Sequence, residues 1–86
     1  FYTTWCKPCK RFEPIFEAVA SKMRGQVDFR RLDAEDDSNK ALVDKYDIHS
    51  YPTVIYTDDT GGVIYRGGSH RSEEDFENTV RIVLGK

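Results

Sequence analysis

Thr4-Trp5-Cys6-Lys7-Pro8-Cys9-Lys10 holds both cysteines of this 86-residue chain, three positions apart, with a proline between them and lysines beside them. Positions i and i+3 of a helix share a face, with α-carbons roughly 5–6 Å apart, inside the window a disulfide needs. Cys6 and Cys9 can therefore join without moving the backbone. At a helix start, unpaired N–H groups and the positive end of the helix dipole favour a thiolate on Cys6, the expected attacking sulfur. Cys9, one turn deeper, is expected to be less accessible and to resolve a mixed disulfide from within. Pro8 loses no N–H bond in a first turn, and its fixed φ limits the freedom of the loop between the sulfurs.

Lys7, Lys10 and Arg11 break a local rule, because cations in a first turn oppose the dipole. One reading is that Lys7 and Lys10 lower the pKa of the Cys6 thiol. The other is a solvated basic face, screened within about 8–10 Å.

Outward from this motif, Phe12, Ile15, Phe16, Val19, Ala20 and Met23 follow the spacing of one helical face. They predict a helix from Cys6 or Lys7 to Met23, stopped by Gly25 and kinked at Pro14. Val27–Leu32 reads as a strand. Asp37 or Ser38 is expected to cap a short helix carrying Leu42 and ending near Tyr46. Thr53–Tyr56 and Val63–Tyr65, separated by Asp58-Asp59-Thr60-Gly61-Gly62, read as an antiparallel hairpin. Ser72 with Asp75 makes a capping box for a last helix in which Phe76, Val80, Val83 and Leu84 repeat the helical spacing to the chain end. With Phe1-Tyr2-Thr3-Thr4 as the tail of a strand, the order is strand, helix, strand, helix, strand, strand, helix. This predicts one α/β domain over residues 1–86 with a mixed sheet.

A net charge of −2 with interleaved signs leaves no concentrated basic footprint of the kind nucleic-acid binding uses, and no apolar run approaches the roughly 20 residues of a membrane span. Two close cysteines are unlike the many-bridged frameworks of small secreted domains. The compartment is left open.

The stretches Phe1–Lys10, then Pro14, then Tyr46–Thr53 (Y-D-I-H-S-Y-P-T), then Tyr65–Gly68 (Y-R-G-G) resemble the thioredoxin superfamily, between thioredoxins and the catalytic domains of protein disulfide isomerases. The resemblance spans essentially the whole chain. It implies a three-layer α/β/α sandwich that lacks the first strand and helix of the full fold. It further implies a protein-disulfide reductase or isomerase type of oxidoreductase, with Cys6 and Cys9 catalytic. Pro52 takes the position of the family's cis proline facing the disulfide. Trp5, Tyr51, Pro52 and Thr53 fall at substrate-binding positions, the main chain beside Pro52 pairing with an extended substrate.

Among supporting residues, Lys7 stands where both groups usually have glycine and Pro8 where disulfide isomerases usually have histidine, so neither group's redox poise transfers. Arg31 falls where a lysine often sits near a buried acid; that acid's place is immediately before Phe1. Arg71 resembles an arginine associated with tuning the second cysteine, one residue out of register. The implied partners are protein disulfides and an external reductase or oxidase acting on a monomer. No organic cofactor is called for, and no metal.

The same residues admit two other functions. One is a redox-silent module that binds proteins through the Pro52 groove. The other is a metal site built from Cys6, Cys9, His49 and His70, whose histidines lack finger-type spacing.

Overall fold

The apolar stripe from Phe12 to Met23 winds into helix α1, Lys7–Lys22, in a computed structural model that describes residues 1–84. Pro14 sits on its exposed side, and the helix continues through it without interruption. Helix α2 follows at Lys40–Lys45, strands β1 and β2 at Val54–Thr57 and Val63–Gly67, and helix α3 at Glu73–Val83. Leu84 caps α3; the last two positions of the helix read to the chain end lie outside the described residues.

Phe12 and Val19 of α1, with Met23 at its C-cap, interlock with Phe76 and Val80 of α3. Phe76 is 1% exposed, with Phe12 edge-on at 5.0 Å and Phe16 stacked at 5.8 Å between ring centroids. Removing such a ring from a core costs about 3–5 kcal/mol. Val54 and Tyr56 of β1 close the cluster from the sheet side. Burial pushes the Tyr56 phenol up to about 12, with Tyr65 and Asp75 adding to the effect, and its hydroxyl makes no hydrogen bond.

β1 and β2 pair antiparallel, Ile55 opposite Arg66 and Tyr56 opposite Tyr65, with an irregularity after Tyr56. Asp58 holds the turn by accepting from the Thr60 and Gly62 amides, and Gly61 takes φ +88. Because residues alternate between sheet faces, Ile55 and Arg66 point away from the α1–α3 core. On that opposite side the Arg66 guanidinium donates to the carbonyls of Tyr46 and Asp47 at the end of α2. Two helices on one face and one on the other give the thioredoxin-like three-layer arrangement.

The segment ahead of α1 joins the sheet from within. Phe1 and Thr53 exchange both main-chain hydrogen bonds, at 2.7 and 3.1 Å, as a hydrogen-bonded antiparallel pair does. Tyr2 bridges Asp33 in parallel, donating to Leu32 and accepting from Ala34. This one parallel bridge stands beside the two-stranded antiparallel β1–β2 sheet.

Two expectations need correction. Val27–Leu32 is not a strand: its side chains suit one, but no main-chain bond reaches Asp28–Arg31 from a neighbour, and a strand exists only through its ladder. A cleft of about 630 Å³, lined by Phe16, Phe29, Arg31, Val54 and Tyr56 among others, lies beside it. The cap after the acidic loop is Asp36, whose carboxylate accepts from the Ser38 amide and opens a 3₁₀ turn at Asp37–Asn39 ahead of α2. α2 ends with Asp47 at φ +55, the amides of Asp47 and Ile48 returning to the carbonyls of Asp44 and Val43 in a Schellman motif.

Candidate active site at the start of the first helix

Cys6 is the N-cap of α1, with extended φ and ψ of −81° and 111°. Its sulfur takes the place usually held by a capping oxygen, accepting the Cys9 amide at 3.1 Å. Pro8 lies in the first turn, where it has no N–H to leave unpaired. The carbonyl of Cys6 accepts from Lys10, so the cap is complete on both sides. Cys6 and Cys9 are joined by a disulfide, with α-carbons 5.2 Å apart.

The two cysteines are equally hidden, Cys6 at 5% exposure and Cys9 at 7%. The expected difference in access is absent, because depth along a helix is not depth in the protein. The chain enters the helix from buried Thr3, whose carbonyl accepts the Cys6 amide, so the capping sulfur is tucked in as well. What separates the two sulfurs is the hydrogen bond, which Cys6 alone receives from the helix.

Trp5, 61% exposed, stands beside this disulfide. Its ring meets Tyr51 edge-on at 6.0 Å, and its indole N–H donates to Glu35 at 2.9 Å. The Tyr51–Pro52 peptide is cis. Thr53 follows, buried, its hydroxyl donating to the Ser50 carbonyl at 2.6 Å. Since Thr53 pairs with Phe1 and the Phe1–Thr3 segment leads straight into the cysteine turn, this pairing brings the two loops side by side. Trp5, Cys6, Tyr51, Pro52 and Thr53 thus belong to one neighbourhood.

Other residues singled out from sequence lie elsewhere or act otherwise. Lys7, Lys10 and Arg11 are exposed on α1. Arg31 bridges Glu13 at 3.2 Å and Glu17 at 3.8 Å, and its guanidinium lies over the Tyr2 ring. Arg71 is exposed and forms no ion pair among the described residues. His49 pairs with Asp47 and His70 with Asp75, and neither joins the cysteines. Among the described residues, three or more potential metal ligands nowhere cluster.

Neither Glu35 nor, except as a candidate metal ligand, His70 is singled out by the sequence. Glu35 holds Trp5 from thirty positions away, with only an acidic loop for a sequence signal. His70, its side chain 14% exposed, lies 5.1 Å from the Phe76 ring and 6.0 Å from Phe12 across the α1–α3 seam.

A family model described as Thioredoxin matches residues 1–81. A protein disulfide isomerase-like 1-2 of Oryza sativa subsp. japonica is 38% identical over 88 residues, covering 99% of this chain and 17% of that protein. A thioredoxin of Staphylococcus aureus is 40% identical over 55 residues, 64% of this chain and 51% of its own. The chain thus spans about half the length of one curated relative and about a sixth of the other. Among solved structures, chloroplastic thioredoxin z superposes over the whole chain and 75% of its own, with TM-score 0.74 and 26% identity. A putative disulphide-isomerase from Bacteroides thetaiotaomicron superposes over 96% of this chain and 71% of its own, with TM-score 0.72 and 28% identity. The cysteine pair at a helix start, the helices on both faces of the sheet and these matches agree: the chain belongs to the thioredoxin family.

Proposed function

We propose that the chain is a thiol–disulfide oxidoreductase acting on protein disulfides. The observation that carries the reading is the Cys9 N–H bond to the Cys6 sulfur, at the positive end of α1, beside a second cysteine within bonding reach. In the reduced protein the Cys6 thiolate attacks one sulfur of a substrate disulfide, and the other substrate sulfur leaves as a thiolate that takes up a proton. Cys9 then gives up its proton and attacks the Cys6 sulfur of the mixed disulfide. The second substrate thiolate leaves and the Cys6–Cys9 disulfide forms. Two electrons have passed to the substrate, and an external reductase returns them; an oxidase would drive the reverse cycle.

Trp5 and Tyr51 flank the substrate, whose extended main chain pairs beside Pro52, with Thr53 fixing that loop through Ser50. The cysteine pair is itself the redox centre, so no organic cofactor enters the cycle, and the working unit is a monomer. Arg31, held by Glu13 and Glu17, and exposed Arg71 act on the site only at a distance in this scheme.

A Cys9→Ser variant, which keeps the attacking sulfur and loses the resolving one, should accumulate mixed disulfides through Cys6 when mixed with disulfide-bonded protein. Adducts detected by mass spectrometry support the proposal. Absence of adducts, together with no turnover by the wild type, contradicts it and leaves the redox-silent binding module as the alternative.

A further inference from the structure

Lys7, Lys10 and Arg11 occupy positions i, i+3 and i+4 of α1, so they share one helix face, and Lys7 and Lys10 directly follow the buried Cys6 and Cys9 in the chain. All three are exposed, and none forms an ion pair among the described residues. The nearest helical partner for Lys10 is Glu13, three positions on, but Glu13 and Glu17 are both turned to Arg31. No acidic residue stands in the first turn.

Across the site, Glu35 of the acidic loop accepts from Trp5, Asp33 from the Glu35 amide and Asp36 from Ser38, neutral donors that orient these carboxylates without cancelling their charge. The first turn of α1, which carries the disulfide, is itself cationic, on a chain whose net charge is −2. A local field opposite in sign to the whole molecule selects by local contact rather than by bulk attraction.

We infer that this basic face selects protein disulfides whose cysteines are flanked by aspartate or glutamate. The inference rests on the oxidoreductase reading and adds a substrate class to it. Acidic neighbours of the substrate cysteine meet Lys7, Lys10 and Arg11 as the sulfurs approach, raising the rate of productive encounter.

Three disulfide-bridged peptides, identical except for glutamate, glutamine or lysine on either side of the cysteine, would be given to protein reduced beforehand and freed of reductant. Single-turnover rates are then compared. The glutamate peptide should be reduced roughly tenfold faster than the glutamine peptide at low ionic strength, the lysine peptide slowest. At about 1 M salt, where the Debye length falls to about 3 Å, the ratio should collapse to within about twofold. A Lys7→Gln, Lys10→Gln, Arg11→Gln triple variant should lose the preference at low salt. Equal rates for the three peptides, faster reduction of the lysine peptide, or a preference that survives both salt and substitution overturns the inference while leaving the oxidoreductase reading standing. Failure to reduce the glutamine peptide as well overturns both.

Discussion

The two long helices begin in opposite ways. α3 opens on Ser72, whose hydroxyl accepts the Asp75 amide, and places Glu73, Glu74 and Asp75 in its first turn, where negative charge suits the dipole. α1 opens on a sulfur, with no acid in its first turn and with Lys7, Lys10 and Arg11 instead. Both helices bury one face in the same core, so packing does not account for the difference. The start of α3 is built for stability. On the function proposed above, the start of α1 gives up that gain and keeps its N–H groups and positive field for Cys6.

The largest test of this contrast is Cys6→Ser. Serine is a favoured cap, so the variant should match the stability of the reduced wild type to within about 1 kcal/mol while exchange falls to background. A variant that unfolds instead would make the capping sulfur a structural device. Next is Ser72→Ala, expected to cost about 1 kcal/mol and to lower Tm by about 4–8 °C with the exchange rate unchanged. An unmoved Tm would remove the assigned role of the α3 cap.

The smallest effect concerns acid. Hydrogen bonds from Lys22 and then Arg81 hold the Glu77 carboxyl below the usual range, joining the end of α1 to α3. A depressed folded-state pKa means that this contribution is present above the ordinary glutamate value of about 4.3 and is lost as pH falls through the folded value. Glu77→Gln should therefore flatten the acid limb of a Tm-against-pH curve. An unchanged limb would place acid sensitivity elsewhere.

How far the sequence could be read follows from the range of each interaction. Phe12, Phe16, Val19 and Met23 were legible as a core stripe because helical spacing is local, and Ser72 was legible for the same reason. The hairpin read at Thr53–Tyr56 and Val63–Tyr65 was legible from its turn residues and forms at Val54–Thr57 and Val63–Gly67. Val27–Leu32 misled because strand propensity describes side chains, whereas a ladder depends on what lies alongside. Asp36 was passed over for its neighbours Asp37 and Ser38, since one acidic run offers several equivalent caps. At the site, the cysteines and Pro8 were read from spacing, while Trp5, Tyr51, Pro52 and Thr53 came only through resemblance. The Trp5–Glu35 bond and the approach of His70 to Phe12 join distant parts of the chain and leave no local trace.

The contrast between the helix starts comes down to one ionisation. Titrating the reduced protein by the ultraviolet absorbance of its thiolates, with Cys9→Ser as the assignment control, reads the Cys6 pKa directly. The account predicts a value clearly below the ordinary thiol value of about 8.5. A value at or above it would contradict the claim that α1 gives up first-turn stability to hold a thiolate.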